Sequence, residues 1–295
     1  MRDTYLKGLL ITLAGTLVLC PDALLIKMTG SMGPMESAFL RSVFMAVSWG
    51  IMVRVKTGGL WPSLRSLSPI GLLAALLQGI DRLAFVTAVQ TTTVANTLTI
   101  FAAVPAFAAI FAYLALGERC GAVKSIAIAA SLAGVIIICG SEFSATALFG
   151  NAMAVISAVL YAVYIVCLRF STRDEVLESL FLSAVFSAVM ALPFTDLTAI
   201  NAEGLGIVAF QGLILLPIGF GLFFTGTRYL PAAEVALIGL LETVLGPLLA
   251  WAVIAEVPSQ HALLGGAIVV LAVFGQALHG LLQRRAQVAS PQPAE

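Results

Sequence analysis

The amino-acid sequence predicts an all-α integral membrane protein whose ten transmembrane helices form two inverted five-helix repeats. Three observations carry that prediction. Of the 295 residues, 60% are hydrophobic and 10% charged, against roughly 45–50% and roughly 25% in a soluble chain, so the expected solvent of the folded surface is lipid. The stretch MESAFLRSVFMAV at 35–47 returns 142 positions later as LESLFLSAVFSAV at 177–189, with eight of thirteen positions identical. Its Glu-Ser-x-Phe-Leu frame is not a product of apolar bias, and it marks a duplication. The third observation is where the basic residues fall once the spans are drawn.

A transmembrane helix needs about 20 mostly apolar residues to cross roughly 30 Å of hydrocarbon. Cutting the chain at charges, prolines and glycine clusters gives spans at 6–26, 34–53, 69–89, 94–116, 121–140, 148–168, 176–194, 204–227, 232–254 and 260–282, with 54–68 and 195–203 as the two substantial loops. The first span mimics a cleavable signal, with Arg2 and Lys7 before an apolar run to Cys20. Leu19 stands where a small residue would precede a cleavage site, so the span is expected to be retained.

With a cytoplasmic N-terminus, Arg2, Lys7, Arg54, Lys56, Arg65, Arg119, Lys124, Arg169, Arg173, Arg228, Arg284 and Arg285 fall on the inner face, and the outer connections hold only Lys27. Twelve against one satisfies the positive-inside rule, and an error of one span would scatter these residues over both faces. Arg41 and Arg82 remain within the membrane. Because the repeat unit has five spans, the second copy crosses in the opposite sense. A weaker echo at an offset of 138 supports it, FVTAVQTTTVAN (85–96) against FFTGTRYLPAAE (223–234) and FAYLALGE (111–118) against LAWAVIAE (249–256). The expected organisation is a first repeat at 1–143, a second at 144–285, and a polar, Pro-bearing cytoplasmic tail at 286–295 that is disordered.

Other classes find little support. Basic and acidic residues cancel at fifteen each without a basic tract, so no nucleic-acid partner is expected. Cys20, Cys120, Cys139 and Cys167 form no CxxC pair and have no neighbouring His, which argues for buried thiols over a metal site. There is no HExxH, P-loop or Ser/His/Asp set, and His261 and His279 sit at opposite ends of the last span. Neither an enzyme nor a cofactor is expected. A channel is disfavoured because the charges are single and asymmetric, with no filter-like repeat.

The repeats end in Val104-Pro105-Ala106-Phe107 through Leu116-Gly117-Glu118-Arg119 and in Leu241-Glu242-Thr243-Val244 through Ile254-Ala255-Glu256. On these segments nearly the whole chain resembles the EamA-type transporters of the drug/metabolite transporter superfamily. The second copy departs from the family pattern at Thr243, where Pro is usual, and at Ala255 and Val257, where Gly and Arg are usual. The resemblance implies a secondary carrier of small metabolites, commonly an amino-acid exporter and including the aromatic amino acid exporter type. It implies a central cavity lined mainly by the first, third, fourth, sixth, eighth and ninth helices. The expected setting is the inner membrane with both termini cytoplasmic, the expected partners a small-molecule substrate and the lipid bilayer, and the expected state a monomer or weak homodimer. Nucleosides, nucleotide-sugars or cofactor-like metabolites are the alternative cargo, although more than two membrane cations would be expected for them.

Charged side chains within spans cost at least a few kcal/mol each and mark bundle interiors or aqueous cavities. Asp22, Arg41, Asp81, Arg82 and Glu242 are of this kind, and each is either a substrate group or a partner neutralising another of the five. Asp22 follows Pro21, which opens the helix beside a carboxylate. Asp81 and Arg82 point roughly 100° apart, so one is expected to meet the substrate and the other a protein partner. Gln78 shares a face with either. Lys27 is expected to reach the outer headgroups. Tyr161 and Tyr164, three apart, share a face and with Phe220 and Trp251 supply aromatic surface for an apolar solute. Arg41 or Arg82 would hold a substrate carboxylate, and Asp22, Asp81 or Glu242 an ammonium or a proton. Position 41 is Arg in the first repeat and Ser183 in the second, so Arg41 is either the anion anchor or the partner of a first-half acid.

Overall fold

Proline, glycine and short polar side chains set the helix ends. The computed structural model describes residues 2–30, 32–65, 67–117, 121–140, 144–168, 170, 175–226, 229–230 and 232–289. At 2–4, 61–63, 116, 224, 232–234, 236, 281 and 283–289 the description is of the backbone alone. Every regular element among the described residues is helical, and ten spans are long and apolar enough to cross a membrane.

The first span is α1 (Arg2–Leu19) and α2 (Asp22–Lys27), separated where Pro21 has no N–H to offer the preceding turn. The second is α3 (Pro34–Thr57), started by Pro34 and stopped by Gly58 at φ 75°. A short helix, α4 (Leu60–Arg65), precedes the third span, α5 (Pro69–Thr91), whose first turn is capped by Ser68 accepting the Gly71 N–H at 3.0 Å. The fourth span is α6 (Val94–Phe101) and α7 (Val104–Leu116), offset at Ala102–Ala103. The fifth is α8 (Ala122–Gly140).

The second repeat follows with α9 (Ala145–Leu168) and α10 (Val176–Ala191). Its third span runs from α11 (Ala202–Phe210) through a π-helical turn at Gln211–Leu215 into α12 (Leu216–Gly226). It closes with α13 (Ala232–Ile254) and α14 (Gln260–Ala289).

Two expected boundaries move. The 54–68 loop is largely helical, because Arg54 and Lys56 suit the negative end of α3 and carry it to Thr57, and α4 fills much of the rest. The 286–295 tail is helical as far as it is described, to Ala289, four residues past the expected limit. Residues 290–295 lie outside the described residues, as do Glu118, Arg119, Cys120, Arg169, Arg173 and Arg228.

The packing carries the duplication into three dimensions. α3 packs on α10 and α8 on α14, each pairing equivalent spans of the two repeats. α1 packs on α12 as α9 packs on α5, which exchanges first and third spans between the halves. This pattern of exchange is what a pseudo-two-fold axis between two five-span units produces. The burial is inverted relative to a soluble protein. Leu114, Ile126, Ile136 and Leu271 are each exposed by about 70% or just under, whereas Thr97, Ser131, Asn151 and Gln211 are fully buried. Small and polar residues at helix contacts suit a protein whose apolar surface is already solvated by lipid tails.

At the α8–α14 crossing, a Cβ on Gly134 would meet the Gly265 carbonyl oxygen at 2.7 Å, and one on Gly265 would meet the Gly134 carbonyl at the same distance. Gly134→Val or Gly265→Val is therefore expected to destabilise the fold by about 1–3 kcal/mol, the usual cost of overpacking. Gly206→Ala and Gly275→Ala, where nothing lies within 4 Å, are expected to leave the melting temperature in detergent nearly unchanged.

Candidate functional site

The break in α1–α2, the stretch of α12 that follows the π-turn and the middle of α5 meet at one cavity of about 170 Å³. Asp22, Arg41, Gln78, Asp81, Arg82, Tyr161, Tyr164 and Glu242 all line it. Most of these eight are individually buried, so their polar ends face each other and the cavity rather than lipid.

The charges are not equally engaged. An Arg41 guanidinium nitrogen lies 2.5 Å from an Asp22 carboxylate oxygen. Asp22 also accepts the Gln211 side-chain amide at 2.8 Å, and the same amide reaches the Asp22 backbone carbonyl at 3.0 Å. Pro21 and the π-turn thus place a charged clamp between the first, second and eighth spans. Asp81 is engaged differently, one oxygen accepting from Gln78 at 2.9 Å and the other from the Ser157 hydroxyl at 2.5 Å.

Arg82 meets neutral groups. One terminal nitrogen donates to the Met45 sulfur at 2.7 Å and the other to the Ser183 hydroxyl at 3.0 Å. Among the described residues it forms no ion pair, and its Nε is buried without a hydrogen-bond partner. Glu242, on α13, makes no hydrogen bond or ion pair among the described residues. Tyr164 Oη and Gln78 Oε1 are also buried and unpartnered. A buried polar atom without a partner costs on the order of 1–3 kcal/mol; these three, and the Nε of Arg41, sit on residues of the cavity wall.

The apolar wall is a chain of rings. Phe101 stands 5.4 Å from Phe85 and 5.1 Å from Tyr161, centroid to centroid, and Tyr161 stands 5.7 Å from Tyr164. Phe220 and Phe223 of α12 add to the lining.

Asp81 and Arg82 both line the cavity while pointing about 100° apart, because α5 is flanked by α9 on one side and by α3 and α10 on the other. Asp81 turns to α9 and the longer Arg82 to α3 and α10. Two expectations are corrected. Lys27 does not extend to headgroups. It bonds the Val89 carbonyl at 2.9 Å and the Thr92 carbonyl, a cation at the negative end of α5, and lies 3.6 Å from Glu256. Glu256 in turn accepts the Val94 N–H at 2.6 Å, which gives the repeat-end glutamate a structural part. Trp251 is 56% exposed and faces outward near the end of α13, where an indole suits the membrane interface.

Sequence reasoning missed Gln211, Ser157 and Met45. A glutamine inside the apolar eighth span was a readable signal, as polar residues there need a partner. Serine and methionine are too common in spans to have given one.

Arg41→Gln is expected to lower stability by about 3 kcal/mol, since removing one member of a buried pair strands the other. Asp22→Asn combined with Arg41→Gln is expected to regain more than half of that loss in a thermal melt.

The pattern of the EamA-like transporter family matches residues 6–140 and again 148–277. A solved structure, described only as a crystal structure of a protein, has a TM-score of 0.65 at 21% identity, covering 94% of this chain and 98% of the other. Likeness at that identity speaks to the fold. Comparison with curated proteins gives no match. With two matches that together span most of its length, each over one repeat, the chain belongs to the EamA-like transporter family.

Proposed function

We propose that this membrane transporter is a secondary carrier of amino acids, including aromatic and apolar ones, working by alternating access and exporting them across the inner membrane. The observation that carries the reading is the composition of the cavity wall: carboxylates and guanidinium groups beside a run of aromatic rings. A zwitterion with an apolar side chain presents the complementary set, a carboxylate for a guanidinium, an ammonium for a carboxylate and a hydrophobic body for the rings.

Size agrees with a small solute. A dry cavity of about 150 Å³ accepts a single benzene ring, and the cavity here is of about 170 Å³. Nucleotide-sugars are larger and carry phosphates that call for more cations than Arg41 and Arg82. The basic residues at the ends of the spans support cytoplasmic termini, and the inverted repeats supply two halves able to rock about a central site. In that motion the Lys27 contacts, which join α2, the end of α5 and the segment after α13 at one face, break when the face opens. The chain works as a monomer or a weak homodimer.

Purified protein in proteoliposomes is expected to exchange external labelled phenylalanine, tyrosine or leucine for the same unlabelled compound inside, saturably and with counterflow. Uptake of nucleosides but of no neutral amino acid by correctly folded protein would overturn the reading.

A further inference from the structure

The cavity holds three carboxylates and two guanidinium groups, and their contacts divide them into a scaffold and a ligand set. Asp22 and Arg41 neutralise each other at 2.5 Å and are fixed further by Gln211. Releasing either to a ligand would leave a buried charge alone, at a cost of several kcal/mol. Asp81 has both oxygens occupied by Gln78 and Ser157. Arg82 and Glu242 remain. The first is held by a thioether and a hydroxyl, weak or neutral acceptors that a carboxylate displaces readily. The second faces the cavity with no hydrogen bond or ion pair among the described residues.

Repeat symmetry supports the same division. The position that carries Arg41 in the first repeat carries Ser183 in the second, and the Ser183 hydroxyl receives Arg82 at 3.0 Å. The third span thus supplies on one side of the axis the cation that the seventh lacks, without the carboxylate that neutralises Arg41 on the other.

We propose that Arg82 and Glu242 are the specificity-determining pair of the cavity: Arg82 binds the carboxylate of an amino-acid ligand and Glu242 its ammonium. Asp22, Arg41 and Asp81 then form the scaffold. This rests on the amino-acid reading above and deepens it. Arg82 belongs to α5 in the first repeat and Glu242 to α13 in the second, so a ligand held at both ends ties the two halves together. A compound with one charge engages one half only.

The test uses full-length protein in proteoliposomes with three labelled compounds of equal ring size: phenylalanine, phenethylamine, which lacks the carboxylate, and 3-phenylpropionate, which lacks the ammonium. The expected result is that Arg82→Gln weakens phenylalanine binding about ten- to a hundredfold, the worth of a charge-assisted hydrogen bond, and leaves phenethylamine little changed. Glu242→Gln is expected to weaken phenylalanine similarly and to spare 3-phenylpropionate. Arg82→Lys, which keeps the charge and loses the fork, is expected to fall between Arg82→Gln and the wild type. Elution profile and thermal melt identify variants that fold. Equal losses for all three compounds in folded Arg82→Gln, or a carboxylate-selective loss in folded Arg41→Gln instead, would overturn the assignment while leaving the amino-acid reading in place. Failure of the wild type to bind any of the three would overturn both.

Discussion

Five charged side chains line a cavity inside a protein whose outer surface is apolar enough for hydrocarbon, and the cost of keeping them there governs the rest of the structure. A charge in such a place needs a partner of opposite sign, a set of hydrogen bonds, or water and ligand in a cavity. All three solutions are present. Arg41 has Asp22, Asp81 has Gln78 and Ser157, and Arg82 and Glu242 have the cavity. Irregular backbone appears where these groups are placed. Pro21 interrupts the first span beside Asp22, and the π-turn at Gln211–Leu215 brings Gln211 onto the same carboxylate. Such departures from the α-helix are tolerated in a membrane when they are buried in protein or line a cavity.

The duplication explains the scaffold, and its imperfections explain the site. Equivalent spans pair across the axis through closely packed small residues, as at Gly134 and Gly265. The shared frame keeps Glu36 and Glu178 buried in both copies, and Glu36 accepts the Asp196 N–H at 2.8 Å. The charged residues of the cavity do not repeat. The position of Arg41 is taken by a serine in the second copy, Asp81 and Arg82 belong to the first half alone, and Glu242 stands on the second-half α13. The shell is close to symmetric and the lining of the cavity is not.

The spans were legible in the sequence because hydropathy over about 20 residues is a strong signal in lipid, and many helix ends because Pro34, Ser68, Pro69 and Gly117 are capping and stop residues. The eight cavity residues were legible for a related reason: polar groups inside spans are rare enough to be conspicuous. What they bond to was not. Asp22 and Arg41 are on different helices, and only packing shows that they meet. The angle between Asp81 and Arg82 was legible, but not that α5 has cavity-facing neighbours on both flanks. Trp251 and Lys27 misled because side-chain direction depends on which neighbour lies beside each helix, and the sequence does not state it.

A high-resolution structure of the protein with phenylalanine bound tests the central claim most directly. The account predicts the ligand carboxylate on the Arg82 guanidinium, the ammonium on Glu242, the ring among Phe85, Phe101 and Tyr161, and the Asp22–Arg41 pair intact. Density for the ligand outside this cavity, or its carboxylate on Arg41 with the Asp22 contact broken, would contradict it.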